Sequence, residues 1–189
     1  MIGAIIGDIV GSRFEWDNYR HKDFELFTSE CFATDDSIMT LAIGKALMES
    51  KPDWSDLGEQ AVRCMQEVGR PYPRCGYGGR FWDWMYSSNP RPYNSFGNGS
   101  AMRASAIGWL FDTREDVLEQ AKKSAEITHN HPEGIKGAQA VALAVYLGRI
   151  GASKNYILRK MSEFYPIFAT PLLGGNKFDE TCQGTLPIC

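Results

Sequence analysis

The sequence predicts an all-α fold, a single compact multi-helix domain over residues 1–189. Three observations predict it. Apolar residues recur at helical spacing along much of the chain, helix-capping residues stand at the heads of several of those runs, and no alternating run of strand length stands out. An apolar content of 43% in 189 residues is enough to bury a sizeable core.

Taken in order, the chain opens on Met1-Ile2-Gly3-Ala4-Ile5-Ile6-Gly7-Asp8, which is apolar but lacks a basic start and meets Asp8 early, unlike a signal peptide. Met39, Ile43, Ala46 and Leu47, with Ile38, Leu41 and Ala42 beside them, form one broad apolar stripe from about 35 to 49. Ser55 is placed to cap a helix carrying Leu57, Ala61, Val62, Met65 and Val68. Residues 70–100 are crowded with Gly, Pro and aromatics and read as an irregular stretch, either a functional loop or a packed surface loop. An apolar helical pattern resumes at Ala104, Ile107 and Leu110. Thr113-Arg114-Glu115-Asp116 resembles a capping box and opens a helix through Val117, Leu118 and Ala121 to Ile127. Pro132 suits the first turn of a helix holding Ile135, Ala138, Val141, Ala142, Val145 and Leu147. Ser153 caps a last helix through Ile157, Leu158, Met161 and Phe164, stopped by Pro166. The tail from Ala169 to Cys189 has no period.

Composition excludes several classes. Net charge is −3 with a pI of about 5.6 and no basic run, so the footprint of a nucleic-acid binder is absent. No stretch approaches the roughly 18 apolar residues of a membrane span. Five cysteines, an odd number without a Cys-x-x-Cys pair, argue against a disulfide scaffold or a zinc ribbon and for reduced thiols in a cytoplasmic protein.

Four segments carry chemistry. Thr34-Asp35-Asp36 packs a hydroxyl and two carboxylates ahead of the 35–49 stripe. Three consecutive oxygen donors suit a hard cation such as Mg²⁺ or Mn²⁺; a Thr N-cap followed by first-turn acids reads equally as a helix start. Gly7-Asp8 with Gly11 and Glu15 sets carboxylates among small residues, and a buried Asp8 needs partners or a metal. Gly97-Asn98-Gly99-Ser100-Ala101-Met102-Arg103 is a glycine-rich turn entering a helix, either a plain turn or an anion site whose N–H groups are joined by the Arg103 guanidinium. Thr128-His129-Asn130-His131-Pro132 offers two histidines for hydrogen bonding or stacking at a helix start, or for metal binding.

Together these segments, with Glu133-Gly134 and Gly137-Ala138, resemble the ADP-ribosylglycohydrolase family in kind and order, and Phe178-Asp179-Glu180-Thr181-Cys182-Gln183-Gly184-Thr185 looks like a later segment of it. The resemblance implies an all-α enzyme with a dinuclear Mg²⁺ or Mn²⁺ site that hydrolyses the glycosidic bond joining ADP-ribose to a protein or a small molecule. It implies Thr34, Asp35 and Asp36 as metal ligands. It also implies Gly97, Asn98, Gly99, Ser100, Met102 and Arg103 along the diphosphate and ribose, His129 and His131 towards the distal part of the ligand, and Glu15 near the scissile ribose. Asp36 or Glu15 is the expected general base. Ser37 stands where the family more often has Thr.

In the family, a second acidic motif of the form Gly-Gly-Asp-Ser-Asp-Thr follows the segment matching Phe178–Thr185; here the sequence runs to Cys189, and Gly174-Gly175-Asn176 is not that motif. The expectation is therefore a C-terminally short member whose acids are Asp35, Asp36 and Asp8, with weak cation binding and an apolar face open to self-association. The alternative function is a catalytically degenerate module that binds ADP-ribose or a nucleotide without turnover.

Overall fold

The structure, a computed structural model, describes residues 1–17, 19, 21–166 and 179–186. Within them the chain runs through α1 (Ile2–Gly11), a 3-10 turn (Ser12–Phe14), α2 (Asp35–Glu49), α3 (Leu57–Gly69), α4 (Gly79–Tyr86), α5 (Gly99–Met102), α6 (Ser105–Leu110), α7 (Arg114–Glu126), α8 (Pro132–Arg149), α9 (Lys154–Met161) and α10 (Cys182–Thr185). The architecture is all-helical, as the periodicity predicts; an isolated antiparallel bridge joins Gly97 to Thr181.

Local chemistry sets the helix ends. The Thr34 hydroxyl accepts the Asp36 N–H at 3.3 Å, Thr113 accepts Asp116 N–H at 3.1 Å and Ser153 accepts Tyr156 N–H at 3.3 Å, each satisfying a donor that the first turn would leave orphaned. Helix α8 ends in a left-handed Gly151 (φ +79°), with Gly151 N–H donating to Gly148 O at 3.1 Å and Ala152 N–H to Leu147 O at 2.9 Å. Those two bonds form a Schellman closure, which a β-carbon at Gly151 would strain.

Helices α1, α4 and the four-residue α10 lie where the sequence predicts none. Helix α4 sits inside the 70–100 stretch and buries Phe81, Trp84 and Met85, an i, i+3, i+4 set hidden by the surrounding Gly and Pro. Helix α1 buries Val10 and leaves Ile2 and Ile6 exposed. One cap also differs: α3 starts after Asp56 rather than Ser55, and the Ser55 hydroxyl donates to Asp53 Oδ1 at 2.8 Å. Phe164 falls in the turn after α9. Gly174-Gly175-Asn176 and Phe178 lie outside the described residues.

Helices α2, α3, α4, α6, α7 and α8 share the core, with Met39, Ile43, Leu57, Met65, Met85, Ile107 and Val117 fully buried in it. Helix α2 packs on α1, α3 and α6, while α8 packs on α5, α6, α7, α9 and α10. This arrangement brings the N-terminus of α2 towards α5 and the segment ahead of α8. An apolar groove of about 870 Å³ runs beside α1, between Met1, Ile2, Trp109, Val141 and Leu186. Among the described residues, no helix is long and apolar enough to cross a membrane. Cys31, Cys64, Cys75 and Cys182 are free thiols.

Candidate functional site

A cleft of about 650 Å³ opens where α1, α2, α4, α5 and the segment before α8 converge. One wall is acidic. Asp8 from α1, Glu15 after the 3-10 turn, and Thr34, Asp35 and Asp36 at the head of α2 all line it. Asp8 is held by α2 itself: its Oδ2 accepts Thr34 N–H at 2.9 Å, Ser37 N–H at 3.2 Å and the Ser37 hydroxyl at 2.5 Å, and its Oδ1 accepts the Thr34 hydroxyl at 2.5 Å. The loop after α3 closes on the same point, with Asp35 N–H donating to Cys75 O at 2.7 Å. Thr34 therefore caps α2, and the two acids that follow it line the cleft.

Crowded carboxylates repel one another where water is scarce. Burial, then Asp36, then Glu15 and Asp8 push the Asp35 carboxyl up to about 7, and burial with Asp8 and Glu15 pushes Asp36 up to about 6. Glu15 is also raised, by burial first and then by Asp8 and Glu180. No ion pair forms with Asp8, Glu15, Asp35 or Asp36 among the described residues. Nor, among those residues, do three His, Cys, Asp or Glu side chains converge as a ready metal cluster.

The rest of the lining is polar and mixed in charge. Gly97, Asn98, Gly99, Met102 and His129 belong to it, together with Ser95, Tyr93, Arg80 and Glu180. Two of the turn's amides are already committed, Gly97 N–H to Ser95 Oγ at 3.2 Å and Asn98 N–H to Glu180 O at 2.7 Å. His129 packs so closely that a β-carbon on Gly99 would lie 3.2 Å from its Nε2, so any larger residue there would press on the ring.

The structure gives Arg103 a different setting from a phosphate fork. Its side chain is 1% exposed, with Nη1 donating to Gly99 O at 3.1 Å and Nη2 to Ser124 O at 3.1 Å and Thr128 Oγ1 at 2.9 Å. It reaches the cleft wall, but its fork grips backbone rather than open space. The Thr128 hydroxyl in turn meets His129 Nδ1 at 2.7 Å. Arginine can only donate, so the Thr128 hydroxyl accepts from Arg103 while it shares the 2.7 Å bond with Nδ1, whose direction follows the His129 tautomer. Burial, Arg103 and Arg80 push His129 down to about 3, leaving a neutral ring.

Ser100 and His131 lie outside the cleft lining. The buried Ser100 hydroxyl donates to Gly134 O at 2.7 Å and ties α5 to α8. His131 caps α8, its Nδ1 accepting Glu133 N–H at 3.1 Å, and its ring packs 5.4 Å from Phe96. The sequence does not single out Arg80, Tyr93, Ser95 or the glycines at 76, 78 and 79 as site residues, yet all line the cleft. Arg80 stacks 4.8 Å above the Tyr93 ring and donates to the Tyr93 carbonyl. Only the density of Gly and aromatics in the 70–100 stretch hinted at them.

Comparison with known proteins shows the family of the chain. The sequence model of the ADP-ribosylglycohydrolase family matches residues 1–178. The mouse protein named ADP-ribosylhydrolase ARH3 is 29% identical over 189 aligned residues, covering 82% of this chain and 49% of its own length. Its human counterpart is 29% identical over 189, covering 82% and 50%. The chicken protein of the same name is 46% identical over a 57-residue stretch, 30% of this chain and 16% of its own length. The chain thus spans about half the length of these two curated relatives. With the family match running from Met1 through Phe178, the chain belongs to the ADP-ribosylglycohydrolase family.

Proposed function

We propose that the cleft binds ADP-ribose attached to a protein or a small molecule and hydrolyses its glycosidic bond. One observation carries this reading. A single cleft, of a size suited to a nucleotide-sugar, sets a carboxylate wall against a wall of glycine turn, neutral histidine and accessible arginine. Carboxylates stabilise the oxocarbenium character that builds at the sugar carbon as a glycosidic bond breaks. The other wall supplies donors for the non-reacting diphosphate, whose binding orients the reacting end.

In this reading Thr34, Asp35 and Asp36 hold Mg²⁺ or Mn²⁺. The donor chemistry fits in kind, since the set is all oxygen and its carboxyls are raised by burial first and by neighbouring carboxylates second, a cost of ionisation that a cation offsets. When bound, the ion supplies positive charge against ribose hydroxyls and a water. Glu15 lines the same cleft, and its carboxyl is raised by burial and then by Asp8 and Glu180, the direction that favours an acid–base role. Arg80 takes the role of diphosphate partner, because Arg103 is turned inward.

The test is release of free ADP-ribose from ADP-ribosylated protein and from small-molecule conjugates in Mg²⁺ or Mn²⁺, run beside calorimetric binding of ADP-ribose. Release is the expected result. Binding without release would replace the hydrolase with a module that holds ADP-ribose, and neither would end both readings. Glu15→Gln is expected to lower turnover roughly 10²-fold, the usual scale for a lost acid–base group, with the binding constant kept within a few-fold. Arg80→Ala is expected to weaken ADP-ribose binding roughly 10-fold or more while leaving adenosine binding unchanged, since one charged hydrogen bond contributes about 1.5–3 kcal/mol. Equal losses for both ligands would remove Arg80 from the diphosphate.

A further inference from the structure

We propose that Asp8 is a positioning residue that acts through Thr34, setting the hydroxyl of the triplet for a cation. The inference rests on the reading of Thr34, Asp35 and Asp36 as cation donors and adds a residue to it. Asp8 lies on α1, 26 residues away from Thr34 in sequence, and its carboxylate spans the first turn of α2. A carboxylate offers about four lone-pair sites on two oxygens. Four donors reach it here: both the N–H and the hydroxyl of Thr34 and of Ser37. Three converge on Oδ2, which fills it, and the Thr34 hydroxyl takes Oδ1.

The consequence falls on the Thr34 oxygen. Its proton is drawn back to Asp8 at 2.5 Å, and one lone pair accepts Asp36 N–H at 3.3 Å. A second lone pair is left for a ligand. An alcohol coordinates a cation only with its proton turned away, and a carboxylate behind that proton makes the oxygen a stronger donor. The fold supports the clasp from a second point, where Phe32 N–H donates to the Ser12 hydroxyl at 3.1 Å and ties the end of α1 to the strand of chain entering α2. Ser37 belongs to the clasp but not to the triplet, which gives the inference an internal control.

The experiment measures Mn²⁺ binding by calorimetry, and folding by thermal denaturation in EDTA, for the wild type and for Asp8→Asn, Thr34→Val, the double variant and Ser37→Ala. Asparagine keeps one acceptor oxygen but turns an amide against the Thr34 and Ser37 donors. Asp8→Asn is expected to weaken Mn²⁺ roughly 10–100-fold, the range for losing the group behind a ligand. Thr34→Val is expected to weaken it at least as much, and the double variant no more than Thr34→Val alone, because Asp8 acts through that hydroxyl. Ser37→Ala is expected to lower the melting temperature while Mn²⁺ affinity stays within about twofold, a split that a purely structural clasp would not give. Wild-type affinity in folded Asp8→Asn, or losses that multiply in the double variant, would overturn the inference. A wild type that takes up no Mn²⁺ would overturn the cation reading first and this inference with it, and the two failures are told apart by that first titration. If Asp8→Asn does not fold, Asp8→Glu keeps the charge but moves it along the chain, and unchanged Mn²⁺ affinity in that variant overturns the inference equally.

Discussion

Asp36→Asn is expected to abolish release of ADP-ribose and, in metal-free buffer above pH 7, to raise the stability of the protein. The two effects have one origin. In the folded chain Asp36 titrates near 6 instead of its ordinary 3.8, and Asp35 near 7, so each carboxyl is ionised at a cost that the unfolded chain does not bear. Raised folded values mean that the folded state holds more protons than the unfolded state between about pH 4 and pH 7. Stability from these groups is therefore full below about pH 4 and is lost as pH rises through 6 and 7. The neutral amide removes about 2 kcal/mol of that cost above pH 7, taking about 1.4 kcal/mol per unit and allowing for partial solvent contact. For a chain of this size the gain reads as roughly 4–8 °C in Tm. The gain should shrink to nothing as pH falls towards 4. Divalent cation should reverse the order, because at about 100 times its dissociation constant it contributes about 2.7 kcal/mol to the wild type alone. A variant less stable than wild type in EDTA at pH 8 would show that repulsion among these acids does not govern the site.

Arg103→Ala is expected to cost about 3–5 kcal/mol, or roughly 6–20 °C in Tm. The guanidinium is a buried cation that still carries its charge at neutral pH, with burial lowering it only to about 10. Its removal leaves Gly99 O, Ser124 O and Thr128 Oγ1 without their donor and opens a cavity between α5 and α7. Unsatisfied buried groups cost about 1–3 kcal/mol each, and the cavity adds to this. Urea denaturation measures the loss, and a loss under about 1 kcal/mol would return Arg103 to the role of a ligand contact. Ligand affinity should fall only as far as the folded fraction falls.

Much of the fold was legible because its helices announce themselves locally. Thr34, Thr113 and Ser153 cap the helices that the sequence assigns them, and α2, α7 and α8 bury most of the faces their spacing marks, with Leu41 of α2 the exception at 46% exposed. Helix α4 was not legible, since Gly76, Gly78 and Gly79 precede it and aromatics fill it, so composition outweighed an eight-residue pattern. The cleft divides the same way. Glu15, Thr34, Asp35, Asp36, Gly97, Asn98, Gly99, Met102 and His129 do come together at one place. The direction of a long side chain is another matter. Whether an arginine faces a ligand or a carbonyl depends on a helix many residues away, as Arg103 and Ser124 illustrate. His131 likewise shows that a histidine beside Pro132 has a ready occupation as a cap.

The chain of contacts from Arg103 through Thr128 to His129 has a consequence for how the cleft senses its surroundings. With Nδ1 bonded to the Thr128 hydroxyl and the ring held neutral down to about pH 3, the His129 ring beside Gly99 carries the same charge in mildly acidic and in neutral solution. The carboxylate wall across from it changes charge in that very interval. The cleft is thus half gauge and half fixed reference. A step whose rate follows acidity between about pH 5 and pH 8 is reporting on the Asp35–Asp36 side, while the grip on the rest of the ligand should hold steady throughout.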